Sequence, residues 1–412
     1  MPKTSTLALA LALALALAAS PAWAQAGRWE GELTLDGATV AIVVHLEGSA
    51  DGWSGSLDVP PQAIEGLALE DLRVDGSAVA FAVPGLPGGP RFSGRIEGGA
   101  DRDGGAAATR LEGTVEAEAA RPPATDIQLL PVELGEDGRW TVLRPYPATD
   151  RDGYDNQPAF EPDGEGLLYT SQRGDQTDVY RYDLGSGETA RVTDTTESEY
   201  SPTPMPGGER FSVVRVEADG TQRLWSFPLA GGEPELLLPS VAPVGYHAWL
   251  DADTLALFVL GEPITLRIAS LAGGEARVVA ETVGRSLHRI PGAGGLSYLD
   301  KSSDPWTLRH YGPEEGATGV LGKALPESED YAWAPDGSLV MGSGTVLHRG
   351  VRRGGEIEWS VLTDLGEEGL GPITRLAVSP DGRTLAVVVE RPATGAPETV
   401  TGTFELTRVG EP

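Results

Sequence analysis

The amino-acid sequence predicts an all-β protein in which a small antiparallel, barrel-like β domain precedes a six-bladed β-propeller. The first observation behind this prediction is a repeated turn signal, clearest in "PAFEPDG", "YAWAPDG" and "LAVSPDG". Aligned two residues before the turn, the copies are 44, 45, 41, 43 and 45 residues apart, at Phe160, Pro204, Trp249, Ile290, Trp333 and Val378. A period of about 40–45 residues is typical of propeller blades of four strands each. The second observation is that short β-rich runs alternate with Gly and Pro turns, which leaves little room for helices.

Residues 1–24 are predicted to be a secretory signal peptide. Lys3 gives the start a basic residue, and residues 7–19 form an apolar run that is too short to span a membrane as a helix. Ala22-Trp23-Ala24 matches a small-residue cleavage site, so we expect cleavage after Ala24. The mature chain would then be periplasmic or secreted.

Residues 25–120 are predicted to form the small β domain. Segments such as "RWEGELTLDG", "ATVAIVVHLEG" and "RFSGRIEGG" alternate apolar and polar residues and are separated by Gly-rich turns. Such alternation is typical of strands that bury one face, as in an antiparallel meander or a small barrel. The stretch "EAEAARPPATD" (116–126) reads as a linker.

Residues 121–412 are predicted to form the propeller, with repeats that start near positions 154, 198, 245, 284, 328 and 373. Residues 126–145 have the layout of the outer strands of a blade, and we expect them to close the ring and remove its exposed edges. The last repeat is incomplete, because only 403–409 still reads as a strand after "TLAVVVE". Either 403–409 or 126–134 could supply the third strand of the closing blade.

Composition limits the classes of partner. The chain has 61 acidic and 31 basic residues, and its formal net charge is −30 at pH 7. A charge of this size repels phosphate backbones and anionic lipids, so neither nucleic acid nor a membrane is an expected partner. The chain has no cysteine, which excludes disulfide bonds and thiol catalysis.

The Pro-Asp-Gly register, followed by a strand, "DVYRYDL" and a Gly-rich turn, resembles the TolB-type propeller repeat of bacterial periplasmic proteins. The resemblance covers about residues 126–390 and is clearest in the first, fifth and sixth repeats. TolB itself has an N-terminal α/β domain, whereas "GRWEGELTL…SGSLDVP" resembles a small β domain found ahead of secreted bacterial hydrolases. The resemblance implies an exported six-bladed propeller with a different N-terminal domain.

The segments before the innermost strands are the candidate functional site. In a propeller of this topology these six segments converge on one mouth of the central channel. They contain two of the five histidines, several carboxylates, four tyrosines and the single asparagine. We therefore expect the mouth to be lined by Tyr154, Asn156, Glu199, Tyr200, Tyr246, His247, Ser286, His288, Glu329, Asp330, Tyr331 and Arg375.

Three roles fit such a lining. The polar groups could bond one another and channel water, which would hold the blades in register. They could form a recognition surface, in which tyrosines are rigid contacts and carboxylates bind a basic group. They could also hold a metal ion, with His247, His288 and one of Glu199 or Asp330 as ligands suited to zinc or iron.

The sequence favours a non-catalytic binding or scaffold protein over an enzyme. It contains no Gly-x-Ser-x-Gly, His-Glu-x-x-His or phosphate-binding Gly-Lys-Ser/Thr motif. We expect the mouth to recognise an envelope protein, a peptide or a small ligand, without a cofactor. The alternative is a metal-dependent hydrolase with its active site in the mouth.

Overall fold

The computed structural model describes residues 25–35, 38–49, 52–62, 64–86, 88–97, 110–118, 124–174, 176–312, 317–326, 328–391 and 399–409. The predicted all-β class is confirmed, because the only helical segments in these ranges are two short 3-10 turns, Pro60–Gln62 and Leu365–Glu368. The predicted signal peptide lies outside the described residues. Within them, no helix is long and apolar enough to cross a membrane. The chain divides into two compact units, residues 1–121 with 394–412, and residues 122–393.

The first unit is a nearly closed, barrel-like sheet of nine antiparallel strands. Eight of them are consecutive: β1 Gly27–Leu35, β2 Ala38–Ser49, β3 Gly52–Val59, β4 Ile64–Ala68, β5 Glu70–Asp75, β6 Ala78–Ala82, β7 Arg91–Glu97 and β8 Arg110–Glu118. The edge strands β4 and β5 are neighbours along the chain, so the sheet curls back towards itself. Apolar residues of one face, including Trp29, Phe81 and Phe92, form its core.

The second unit opens with the strands β9 Thr125–Leu134, β10 Trp140–Val142 and β11 Tyr146–Pro147. Five four-stranded blades follow, each with its innermost strand first. Their strands are β12 Asp155–Phe160, β13 Gly166–Arg173, β14 Gln176–Asp183, β15 Thr189–Arg191; β16 Ser198–Pro204, β17 Arg210–Val216, β18 Gln222–Pro228, β19 Glu235–Leu236; β20 Val244–Trp249, β21 Thr254–Val259, β22 Thr265–Ser270, β23 Arg277–Glu281; β24 Val283–Arg289, β25 Leu296–Asp300, β26 Thr307–Gly312, β27 Ala317–Lys323; and β28 Tyr331–Trp333, β29 Leu339–Ser343, β30 Val346–Arg353, β31 Glu356–Asp364.

The sixth blade answers the question that the sequence left open. Its two inner strands are β32 Ile373–Val378 and β33 Thr384–Glu390. Strand β9 pairs with β33 from Thr125↔Glu390 to Pro131↔Thr384, and β10 pairs with β9. Residues 126–134 therefore supply the third strand, and the ring is closed by the start of the propeller unit.

The last strand, β34 Thr399–Val409, corrects the predicted propeller range of 121–412. It lies in the first unit, between β1 and β8, from Thr399↔Glu118 to Val409↔Arg28. The physical reason is its alternation, since Phe404 and Leu406 are buried between exposed neighbours, which suits a sheet with one solvated face. Strand β9 is buried continuously from residue 125 to 130, which suits a blade packed on both faces.

Candidate functional site

Each blade brings one side chain from the start of its innermost strand to a cluster at the channel mouth. We call these residues the central cluster: Tyr154, Tyr200, Tyr246, Arg285, Asp330 and Arg375. Hydrogen bonds join Arg285 and Arg375 to Asp330 and join Arg375 to Tyr246. The groups that act electrostatically on the Tyr154 phenol are Arg375, Tyr246, Tyr200 and Arg285, so all six blades meet here.

Irregular strand pairing lies at or next to three residues of the central cluster, Tyr246, Arg285 and Arg375. Strands β12, β16, β20, β24 and β32 each carry a register shift within their first residues. A bulge inserts a residue, bends the strand and re-aims its side chains. In β32 the inserted residue is Thr374, between the paired residues Ile373 and Arg375.

Asp330 is the centre of the bonded network. Its carboxylate accepts from Arg285 Nη2 at 2.5 Å, from Arg285 Nε at 3.2 Å and from Arg375 Nη1 at 3.0 Å. The Asp330 and Arg375 side chains are only 13% and 14% exposed, so water screens this contact weakly. Three neighbouring blades are thereby tied together by one carboxylate.

The tyrosines form the opposite wall of the mouth. Arg375 Nη2 donates to the Tyr246 hydroxyl at 2.6 Å, and the guanidinium carbon lies 4.8 Å from the centre of the Tyr246 ring. This placement combines a hydrogen bond with a cation–π contact. Burial raises the pKa of the Tyr154 phenol, so this group stays a neutral hydrogen-bonding hydroxyl.

A cavity of about 220 Å³ lies beside the central cluster, between the fourth, fifth and sixth blades. Its walls include Arg285, Trp306, Glu329, Ser343 and Thr374. The Oγ1 atom of Thr374 is buried and has no hydrogen-bond partner among the described residues. A buried hydroxyl without a partner costs free energy, so it marks a place where a missing partner would bind.

Glu329 lies in the wall of this cavity. Its Oε1 atom accepts from the backbone N–H of Arg285 at 2.9 Å and lies 3.6 Å from Lys301 Nζ. The Lys301 ammonium is also 4.3 Å from the centre of the Trp306 ring. The cavity wall and the central cluster contain two cations, Arg285 and Arg375, and two carboxylates, Glu329 and Asp330. Lys301 adds a third cation beside Glu329, outside the cavity wall. With Lys301 counted, these side chains carry one excess positive charge in a chain whose net charge is −30.

Glu199 does not lie in the central cluster. Its side chain is fully buried at the seam between the first and second blades, where Thr195 donates to Oε1 at 2.5 Å and Arg215 Nε lies 3.5 Å away. Burial raises the pKa of the Glu199 carboxyl to about 7, against hydrogen bonds from threonines that lower it. The neighbouring residue Tyr200 points to the channel instead.

The predicted histidines belong to contacts between blades. His247 Nε2 is 2.6 Å from the Ser212 hydroxyl, which also accepts from the Trp249 indole at 2.9 Å. His288 Nε2 is 3.0 Å from the Ser286 hydroxyl, and its ring packs edge-on against Tyr331 at 4.9 Å. Burial lowers the pKa of His247 to about 3 and that of His288 to about 4, so both imidazoles are neutral.

Tyr331 and Asn156 also hold blades together. The Tyr331 hydroxyl donates to Ser297 at 2.9 Å, and the Trp333 indole donates to the same hydroxyl at 2.8 Å. Asn156 is buried, and its amide donates to Thr125 of β9 at 3.4 Å. These residues therefore fit the interpretation that polar groups of the lining hold the blades in register, whereas the residues of the central cluster lie at the channel mouth.

The structure does not bring the candidate metal ligands together. His247, His288, Glu199 and Asp330 each have separate partners in different blades. Across the part of the chain that the structure describes, no group of three or more His, Asp or Glu side chains is placed to hold a metal ion.

Sequence reasoning missed Arg285 and Thr374. It selected the next residue, Ser286, in a segment where a register shift falls between Val283 and Leu287. A signal was present, since an arginine within a convergent segment of a strongly acidic chain is unusual enough to single out.

Comparisons with known proteins support the fold. A solved structure from Agrobacterium tumefaciens described as a TolB matches 66% of this chain and 100% of its own, with 14% identity and a TM-score of 0.53. TolB from Acinetobacter baumannii matches 72% of this chain and 79% of its own, with 13% identity and a TM-score of 0.41. The predicted resemblance to TolB-type propellers is thereby confirmed at the level of the fold.

Similarity in sequence is more limited. An uncharacterized protein of Agrobacterium fabrum strain C58 is 25% identical over 99 residues, which cover 24% of this chain. The match spans about a third (31%) of that relative's length. No protein-family model matches the chain.

Proposed function

We propose that the chain is an exported, non-catalytic binding protein whose propeller holds a protein, peptide or small ligand at the channel mouth. The observation that carries this proposal is the convergence of one side chain from every blade beside a cavity with an unpartnered hydroxyl. Ligand sites are concave and present a few converging polar groups, and this mouth has both features. The TolB-like fold supports the proposal only by analogy.

The chemistry of the central cluster supports binding more than catalysis. Its arginines, aspartate and tyrosine are bonded to one another, which holds them in fixed positions for recognition. Neutral histidines would be the natural general bases, but His247 and His288 are engaged at blade contacts. The metal-dependent hydrolase stays a hypothesis without a supporting contact among the described residues.

A cavity-filling variant tests the proposal. Ser343→Trp places an indole in the wall of the cavity, whereas Ser240→Trp makes the same change at an exposed position between the second and third blades. Ligand-observed NMR with a library of organic acids, amines, sugars and short peptides should find ligands for the wild type. We expect Ser343→Trp to lose them and Ser240→Trp to keep them. Ligands that bind Ser343→Trp as well as the wild type would place the binding site elsewhere.

A further inference from the structure

We propose that the group recognised at the mouth is a carboxylate, an inference that rests on the proposed function and names its ligand class. The net charge of the chain argues for basic partners, but the local charge of the site is positive. Arg285, Lys301 and Arg375 face only two carboxylates, Glu329 and Asp330. A bound carboxylate would balance the remaining charge.

Donors for that carboxylate remain after the internal bonds are made. Arg285 uses Nε and Nη2 for Asp330, while its Nη1 has no acceptor among the described residues. Thr374 Oγ1, in the wall of the same cavity, is buried and equally unpartnered there. Both groups donate hydrogen bonds, and guanidinium with hydroxyl is a pairing that suits an anionic oxygen.

Asp330 shows how the mouth accommodates a carboxylate. Two arginines from different blades approach its two oxygens at 2.5–3.3 Å, a geometry that planar guanidinium groups form with carboxylates. The pair of arginines is thus held in place by an internal carboxylate, and Arg285, which lies in the cavity wall, keeps Nη1 without an acceptor among the described residues. The ligand would add a second carboxylate to this arrangement.

Size limits the ligand to a small acid or a chain end. A cavity of about 220 Å³ holds several water molecules but cannot admit a folded surface. The carboxylate could come from a peptide C-terminus or from a free organic acid. Trp306 and Ile373 in the cavity wall would pack against the apolar part of either source.

The test uses full-length mature protein and three probes: trialanine with a free carboxylate, trialanine amide and acetate. Calorimetric titration should show that trialanine binds and that its amide binds at least about tenfold more weakly, since a charge-assisted contact is lost. Competition by acetate at equal concentration would assign the site to small acids. Binding of trialanine without acetate competition would assign it to peptide termini.

Variants connect the binding to the residues named. Arg285→Gln should weaken trialanine binding by about tenfold or more. Arg309→Gln should leave it unchanged, because Arg309 lies in β26 of the same blade, is similarly exposed and pairs with Asp300 outside the cavity. If Arg285→Gln fails to fold, the isosteric Thr374→Val should weaken binding several-fold with an unchanged thermal midpoint.

Failure of the carboxylate proposal can be distinguished from failure of the proposed binding function. Equal affinity for the acid and the amide, or no binding of trialanine and acetate at millimolar concentration, would overturn the carboxylate proposal. If other ligands are then lost in Ser343→Trp, the proposed binding function stands without it. If Ser343→Trp changes nothing for any ligand, the proposed function itself fails.

Discussion

At the scale of single residues, Glu199 shows how far burial changes the role of a side chain. The sequence places it in the mouth as a binding carboxylate, so its replacement should leave stability unchanged. The structure buries it completely between blades, beside Thr195 and Arg215. Its contribution is therefore to the free energy of unfolding and not to recognition.

This burial predicts a pH dependence. The pKa of Glu199 rises from 4.5 to about 7 on folding, so between these values the folded state binds a proton that the unfolded state has released. The contribution of this group to stability is largest below pH 4.5 and is lost as the pH rises to about 7. The loss is on the order of 1–3 kcal/mol.

Urea unfolding at several pH values measures the effect. We expect the wild type to lose stability between pH 4.5 and 7 relative to Glu199→Gln, in which the titrating group is absent. Glu188→Gln, at an exposed position in the first blade, is the control and should follow the wild type. Parallel pH profiles for wild type and Glu199→Gln would contradict the raised pKa.

At the scale of elements, β34 is the strand that sequence position misassigns. It lies in the middle of the nine-stranded sheet, paired on both sides with β1 and β8. Its buried residues Phe404 and Leu406 belong to the core of the first unit. Removal of β34 would split this sheet and expose that core.

A truncation separates the two units. The full chain should show two calorimetric transitions, because each unit has its own core. Residues 25–398 should keep the propeller transition and lose the other, whereas residues 25–409 should keep both. Loss of the propeller transition in the shorter chain would show that the C-terminal strand supports the propeller instead.

The strands explain why the repeats could be predicted from the sequence and the side chains that face the channel could not. Turn residues recur once per blade, so the period, the six blades and the convergent segments were all predictable. Which side chain faces the channel depends on alternation, and a register shift changes its phase. This is why Arg285 lies in the central cluster where the sequence named Ser286. In the second blade the sequence named both Glu199 and Tyr200, and Glu199 is the one buried between blades. The third strand of the sixth blade is β9 and not β34, because β9 is the strand buried on both faces. In the sequence, the apolar run in "DIQLLPV" is only a weak signal of such burial.

At the scale of the whole molecule, the net charge and the site oppose each other. A charge of −30 repels an approaching anion over distances of about the Debye length, while Arg285 attracts it at contact. The Debye length falls from about 30 Å at 0.01 M salt to about 8 Å at 0.15 M. Added salt therefore screens the long-range repulsion by the net charge before it weakens the short contact with Arg285.

The association rate of N-acetyl-trialanine, which is a net anion, should consequently rise between 0.01 M and 0.15 M salt, whereas that of the uncharged N-acetyl-trialanine amide should change less. Stopped-flow measurement of tryptophan fluorescence can follow both, and Trp306→Phe should remove the part of the signal that comes from the cavity wall. A rate for the acid that falls steeply with salt would indicate capture by an exposed basic surface, contrary to this account.

A crystal structure of the protein grown with trialanine would show directly whether the mouth binds a carboxylate. We expect the peptide in the cavity at the channel mouth, with its terminal carboxylate within hydrogen-bond distance of Arg285 Nη1 and Thr374 Oγ1. A peptide bound away from the mouth, or bound there with its carboxylate turned away from Arg285, would contradict this expectation.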